Sequence, residues 1–386
     1  MALRPQGTCR SNASHGRGGL DSRPRSYLAS MSWGGPGMKG LVRFHCGHEF
    51  NFCGEGHGLL QARLRWLEVD VHLMLTVLLG YAALTDTSLP FNKYAFLTTH
   101  NSFAKTRYTR LTTYNQEDEV FEQLSNGVRA LMLDVYDYDN DIWLCHSKRE
   151  CNGRSAFEPA IYTLREIEAF LLMNPSEIVT LILEDHISSQ DGLTKLFDKS
   201  GLRKYWFPVQ DMPRNGEDWP IVSNMIRNNR RLLVFTSNRS KESSEGVAYQ
   251  WNYMVENQCK LPYGDVGMNH EACNNRSESP FLYNRTRSLV LVNYFRTVAL
   301  PWTASTEHSH GLMDVLKICH IAAGNRWANF LAVDFYKRSE GGGVFQDTDM
   351  LNGRLICGCN DVYACRKEIL KPLLNDLLLK LGLTWK

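Results

Sequence analysis

From about Ser88 onward the chain alternates short, almost wholly apolar runs with stretches of helical period, and that alternation restricts the folds open to it. The runs are YAFLTT (94–99), RALMLDV (129–135), DIWLCH (141–146), EIVTLILE (177–184), RLLVFTS (231–237), LVLVNYF (289–295) and NFLAVDFY (329–336). A strand with one wet face alternates apolar and polar residues. A strand apolar at nearly every position is covered on both faces, as in a parallel sheet flanked by helices. The intervening segments have helix ends. EDEVFEQLSNG ends on Gly127, PAIYTLREIEAFLLMNP starts at Pro159 and stops before Pro175, and DGLTKLFDKSG and GLMDVLKICHIAAG end on glycine. Seven or eight such units over about 280 residues predict an α/β fold, a TIM-type (β/α) barrel with room for irregularity, in preference to a doubly wound sheet.

Several function classes drop out. No dinucleotide or Walker glycine motif follows the first run, and there is no G-x-S-x-G elbow. SEGGGVF (339–345) comes after the last strong run and reads as a rim loop. The formal net charge is +2, so no global polyanion signal exists and no nucleic-acid partner is expected.

The ends of the chain read differently. Residues 1–66 hold nine basic residues against three acidic ones, with weak periodicity, and predict a disordered extension; a transit peptide has a similar composition. The group His45, Cys46, His48, Cys53 and His57 matches no strong zinc spacing. VHLMLTVLLGYAAL (71–84) is 14 residues long, short for a spanning helix and suited to a signal h-region. The resulting division is an extension over 1–87, a barrel over 88–365 and an amphipathic helix over 366–386. Eleven cysteines, with sequons at Asn12, Asn238, Asn275 and Asn284, lean towards the secretory pathway, outside the cell or at its surface. Cys145 and Cys151 flank His146, where a bridge would hold its loop.

Polar residues gather at the ends of the apolar runs. His100 and Asn101 follow the first, Asp134 ends the second, His146 the third, and Glu184, Asp185 and His186 the fourth. In a barrel these ends share the face where active sites are built. Each residue alone has a plain reading as a cap or loop contact; four in succession favour a site. Two histidines provide an acid and a base near neutral pH. Asn101, Asp134 and Glu184 offer hard oxygen donors suited to Ca²⁺ or Mg²⁺. A dication with two histidines suits a phosphodiester.

LPFNKYAFLTTHNSF, GVRALMLDVYDYDNDIWLCHS, NPSEIVTLILEDH, KYWFPVQDMP, EGVAYQWNYMVEN and GNRWANFLAVDFYKRSEGGGVF closely resemble plant proteins with a phosphatidylinositol-specific phospholipase C (PI-PLC) X domain, from about Leu89 to Cys365. The resemblance implies a TIM-type barrel and cleavage of phosphatidylinositol or a related inositol lipid by a monomer at a membrane surface. His100 matches the general base, His146 the general acid, and Asp334 an acid orienting a histidine. Asn101, Asp134 and Glu184 match calcium ligands. Met132 stands where the calcium-dependent enzymes have a further acid, and Tyr136 where the metal-independent ones have an arginine, so a weak Ca²⁺ site is implied. The alternative is a catalytically weak or inactive barrel that binds inositol lipid or glycan. A glycerophosphodiesterase ranks lower, because His100-Asn101-Ser102 departs from the His-Arg-Gly of those relatives.

Overall fold

The computed structural model describes residues 87–105, 114–147, 150–258, 273–360, 362 and 365. The predicted extension with its apolar segment, the histidine–cysteine group and the C-terminal helix lie outside them. Among the described residues ten strands form one sheet. They are β1 (Phe96–Thr99), β2 (Ala130–Tyr138), β3 (Asp141–Cys145), β4 (Ala156–Pro159), β5 (Val179–His186), β6 (Leu232–Thr236), β7 (Ala248–Tyr249), β8 (Met254–Glu256), β9 (Leu289–Tyr294) and β10 (Phe330–Val333). Eight of them pair in parallel in the order β7-β6-β5-β2-β1-β10-β9-β8. Since β10 returns to β1, the sheet curls into a barrel whose one unpaired seam lies between β7 and β8. The short 3₁₀ turn Gln250–Asn252 joins those two strands.

All seven apolar runs are strands. DIWLCH, however, is not a barrel strand. It is β3, antiparallel to β2, and it continues into β4, which is also antiparallel. Tyr138 pairs with Asp141 across Asp139 and Asn140, both at positive φ (51° and 57°). A two-residue turn of that shape matches the twist of a hairpin and reverses the chain. The strands that the apolar runs do not include, β4, β7 and β8, have two to four residues, too few to show a period.

The expected helices are present at Val120–Ser125, Ala160–Met173, Gly192–Ser200 and Leu312–Ala322. Glu119 and Glu122 form a capping box on the first of these, and Gly127 (φ 107°) and Gly201 (φ 79°) take the positive-φ conformations past their helix ends. A further helix, Val344–Ile356, follows the glycine loop at 341–343.

Strand alternation sorts the side chains into two cores. Leu97, Leu131, Leu133, Leu181, Leu183, Val290, Val292 and Leu331 face out and pack with helix residues such as Leu164, Ile167, Leu312 and Leu316. Ala130, Ile182, Leu233, Phe235, Met254, Leu289, Leu291, Phe330 and Ala332, with Phe96 and Met132 against them, fill the interior. Trp219, Phe91 and Phe207 belong to the same cluster, with Phe91 tilted between Trp219 and Phe330. Phe330 is fully buried among these rings. Phe330→Ala leaves a cavity that the stiff barrel fills poorly, so urea unfolding should show a loss of about 3–5 kcal/mol. A loss below about 1 kcal/mol would contradict this packing.

Candidate active site

Continuing the inward register of each strand by one step past the apolar layers gives a ring of polar residues at the C-terminal mouth. His100 follows Phe96 and Thr98, Asp134 follows Ala130 and Met132, and Glu184 follows Ile182. Glu256 follows Met254, Asn293 follows Leu291, and Asp334 follows Ala332. Met132 therefore lies one layer below Asp134, packed in the barrel interior, and supplies no oxygen.

His100 is held on two sides and by its backbone. Its Nδ1 is 2.9 Å from Asp334 Oδ1, and Asn115 Nδ2 donates to the same oxygen at 2.9 Å. The ring stacks on Phe295, with centroids 3.6 Å apart and planes 3° apart. Gln116 Nε2 donates to the carbonyls of His100 and Val333, joining the ends of β1 and β10. A carboxylate at Nδ1 places a proton there and leaves Nε2 facing the mouth. Next to Asp334, Phe335 has φ 48°, a costly conformation for a bulky residue. Its N–H donates to the Asn115 carbonyl at 2.8 Å, and its ring meets Tyr114 edge-on.

Asn101, at φ 43°, links this histidine to the acids. In the amide orientation that satisfies its neighbours, its nitrogen donates to both Asp134 oxygens at 3.1 and 3.2 Å and its oxygen accepts from His100 Nε2 at 3.2 Å. That arrangement requires a proton on Nε2. The reverse orientation turns the amide oxygen to Asp134 and suits a neutral ring. The β2–β5 register sets Asp134 beside Glu184. Burial first, then the Glu184 charge, pushes Asp134 well above the ordinary carboxylate range, and Arg276 offsets part of this. Burial also pushes Glu184 up, but its hydrogen bond with His186 and the charges of His186, Arg276 and His100 bring it below its ordinary value. His186 Nε2 is 3.0 Å from Glu184 Oε1 and its ring stacks on Tyr136 at 4.2 Å. The β2–β5 register thus sets two carboxylates side by side, and the Asn101 amide adds a third hard oxygen only in the reverse orientation, a donor set of the kind that suits a hard dication. Asp185 points the other way and is structural, accepting from Thr236 Oγ1 and the Ile187 N–H.

His146 follows the hairpin strand β3. Leu144 pairs with Val135, so the antiparallel return brings His146 back alongside the stretch of β2 that carries Asp134. A Cys145–Cys151 disulfide closes its loop, and its N–H donates to the Ser155 carbonyl at 2.9 Å. Tyr136, on β2, donates its hydroxyl to the carbonyl of the next residue, Ser147.

Asn115, Arg276, Glu256, Asn293 and Phe295 also belong to the site and escaped the sequence reading. Glu256 is fully buried and accepts from Gln250, Trp251, Asn293 and Arg276. Asn293 left a usable signal, as the polar residue within LVLVNYF; Asn115 and Arg276 come from loops and left none.

The fold and site define an α/β barrel protein with a histidine–acid mouth. Residues 88–351 match the PI-PLC X 1 family model, and the chain belongs to that family. It is 53% identical over 285 residues to a PI-PLC X domain-containing protein of Arabidopsis thaliana, covering 72% of this chain and 66% of that one. It is 24% identical over 254 residues to an uncharacterized secreted protein of Arthroderma benhamiae, covering 62% and 56%. The chain thus spans about two thirds or less of these relatives' length. A phosphatidylinositol-specific phospholipase C of Staphylococcus aureus aligns over 70% of this chain and 95% of its own, with TM-score 0.43 and 13% identity.

Asp134 binds protons more readily in the folded chain than in the unfolded one, so its contribution to stability falls as pH rises above the ordinary carboxylate range. Asp134→Asn removes the buried charge beside Glu184. Calorimetry at pH 7 without added metal should show an unfolding temperature higher by about 2–4 °C, the gain shrinking towards pH 4. An unchanged or lower temperature at pH 7 would contradict this electrostatic assignment.

Proposed function

We propose that the chain is a phosphodiester hydrolase of the phospholipase C type, cleaving phosphatidylinositol or a related inositol lipid at a membrane surface in or beyond the secretory pathway. The observation that carries this reading is the His100–Asp334 contact at the barrel mouth, which holds the ring through Nδ1 and leaves Nε2, beside the Asn101 amide, as the working nitrogen. His100 Nε2 takes the proton of the inositol 2-hydroxyl, and that oxygen attacks the phosphorus. The diacylglycerol oxygen leaves with a proton from His146, giving an inositol 1,2-cyclic phosphate. Asp334 and Asn115 keep the His100 ring in the tautomer this needs. Asn101, Asp134 and Glu184 would hold Ca²⁺, which when bound supplies positive charge against the phosphoryl oxygens and lowers the pKa of the attacking hydroxyl.

Val298 and Trp302, 42% and 69% exposed, follow β9 on the mouth side and support contact with a lipid surface. Among the described residues no helix is long and apolar enough to cross a membrane. Disulfides among the described residues, Cys145–Cys151, Cys273–Cys319 and Cys357–Cys365, support an oxidising compartment. A second reading, binding of inositol lipid or glycan without turnover, draws support from Met132, which offers no oxygen, and from Arg276, which already places a cation near Asp134 and Glu184.

On phosphatidylinositol vesicles, His100→Ala and His146→Ala should each lower kcat by about 10²–10⁴-fold. Chelation of calcium should lower it as well, and Asp334→Asn should reduce kcat more than it raises KM. Lipid binding without turnover in the native protein, unaffected by His146→Ala, would establish the second reading instead.

A further inference from the structure

Three described sequons, Asn238-Arg239-Ser240, Asn275-Arg276-Ser277 and Asn284-Arg285-Thr286, share a motif but not a geometry. At Asn284 the side-chain oxygen accepts from the Thr286 N–H at 2.9 Å and from the Thr286 hydroxyl at 2.8 Å. Asn238 has the same turn, its oxygen accepting from the Ser240 N–H at 3.1 Å and hydroxyl at 2.7 Å. Both sequon hydroxyls thus polarise the amide through its oxygen and do not engage Nδ2. Asn275 is reversed. Its Nδ2 donates to the Arg276 and Ser279 carbonyls at 2.6 and 3.0 Å, and the Ser277 hydroxyl is turned away to Glu278. Arg276 itself is held by Glu256 and Glu278, so a sugar on Asn275 would have to break into the site's own network.

A second observation singles out Asn284. Phe281 and Tyr283, immediately before it, are 65% and 63% exposed and stack on each other with centroids 5.4 Å apart and planes 4° apart. Two large rings left in water beside a sequon form an apolar platform with nothing from the described chain on it. The apolar face of a pyranose fits such a platform. Asn284 lies ahead of β9, at the end of the barrel opposite the mouth, whereas Asn238 follows β6 on the mouth side.

We infer that Asn284 is an N-glycosylation site whose first sugar covers the Phe281–Tyr283 pair, that Asn238 is a second site on the same amide geometry, and that Asn275 is not modified. The donor is a polyprenyl-pyrophosphate-linked oligosaccharide. The bond from sugar C1 to the phosphate oxygen breaks, a bond from C1 to Asn284 Nδ2 forms, and one Nδ2 proton leaves with the pyrophosphate. The disulfides already argue for the compartment in which this transfer occurs.

The test is peptide mass mapping of the full chain secreted from a eukaryotic host and deglycosylated by N-glycanase in heavy-oxygen water. Heavy-oxygen aspartate is expected at 284 and 238, with asparagine kept at 275. An unmarked Asn284 or Asn238, or a marked Asn275, would overturn the assignment. The platform is tested by stability. Asn284→Gln should lower the unfolding temperature by about 2 °C in the native background and leave it unchanged in the Phe281→Ser, Tyr283→Ser background. An equal drop in both backgrounds would overturn the stacking. These readouts do not depend on catalysis, so they stand apart from the phosphodiesterase reading.

Discussion

Four carboxylates, those of Asp134, Glu184, Glu256 and Asp334, project inward at one end of a parallel barrel, and how each is compensated decides most of what surrounds them. An isolated charge in such a place is costly. Asp334 is matched by His100 and Asn115, and Glu256 by Arg276, Asn293, Gln250 and Trp251. Glu184 has His186. Asp134 has the Asn101 amide as its neighbour and Glu184 alongside, and it is the acid whose pKa is driven well above the ordinary range. A polar site kept under such strain in an otherwise apolar barrel is where binding of a cation or a phosphate yields the most.

The compensation also explains the irregular parts of the fold. The β2–β3–β4 excursion interrupts the strand–helix rhythm, and its antiparallel return brings the backbone at His146 alongside the part of β2 that carries Asp134. The Cys145–Cys151 bridge and the Tyr136–Ser147 bond fix the place it reaches. Phe335 accepts a left-handed backbone so that Asp334 faces His100 while the chain leaves through the Asn115 carbonyl.

The barrel was legible because its strands are long apolar runs and its helices end at glycines and prolines. That made the run ends readable, and with them the places of His100, Asp134 and Glu184, whereas runs apolar on both faces left the inward direction of each side chain to the register of the folded sheet. The short strands β7 and β8 were not legible, since two or three residues carry no period, and Glu256 was lost with them. DIWLCH has the composition of a barrel strand, and the feature that reverses it, Asp139-Asn140 at positive φ, is a turn signal weaker than Asn-Gly. Asn115 and Arg276 reach the site from loops, through contacts far apart in sequence that no local pattern encodes.

The central claim is that the His100–Asp334 pair and His146 make this mouth a catalyst of ring closure on an inositol phosphodiester. Phosphorus NMR of phosphatidylinositol vesicles during the first turnovers of the full chain, with calcium present, tests it most directly. The account predicts a resonance of inositol 1,2-cyclic phosphate ahead of any acyclic product. An acyclic phosphate as the first product, or an unchanged lipid signal at high enzyme concentration, would contradict it.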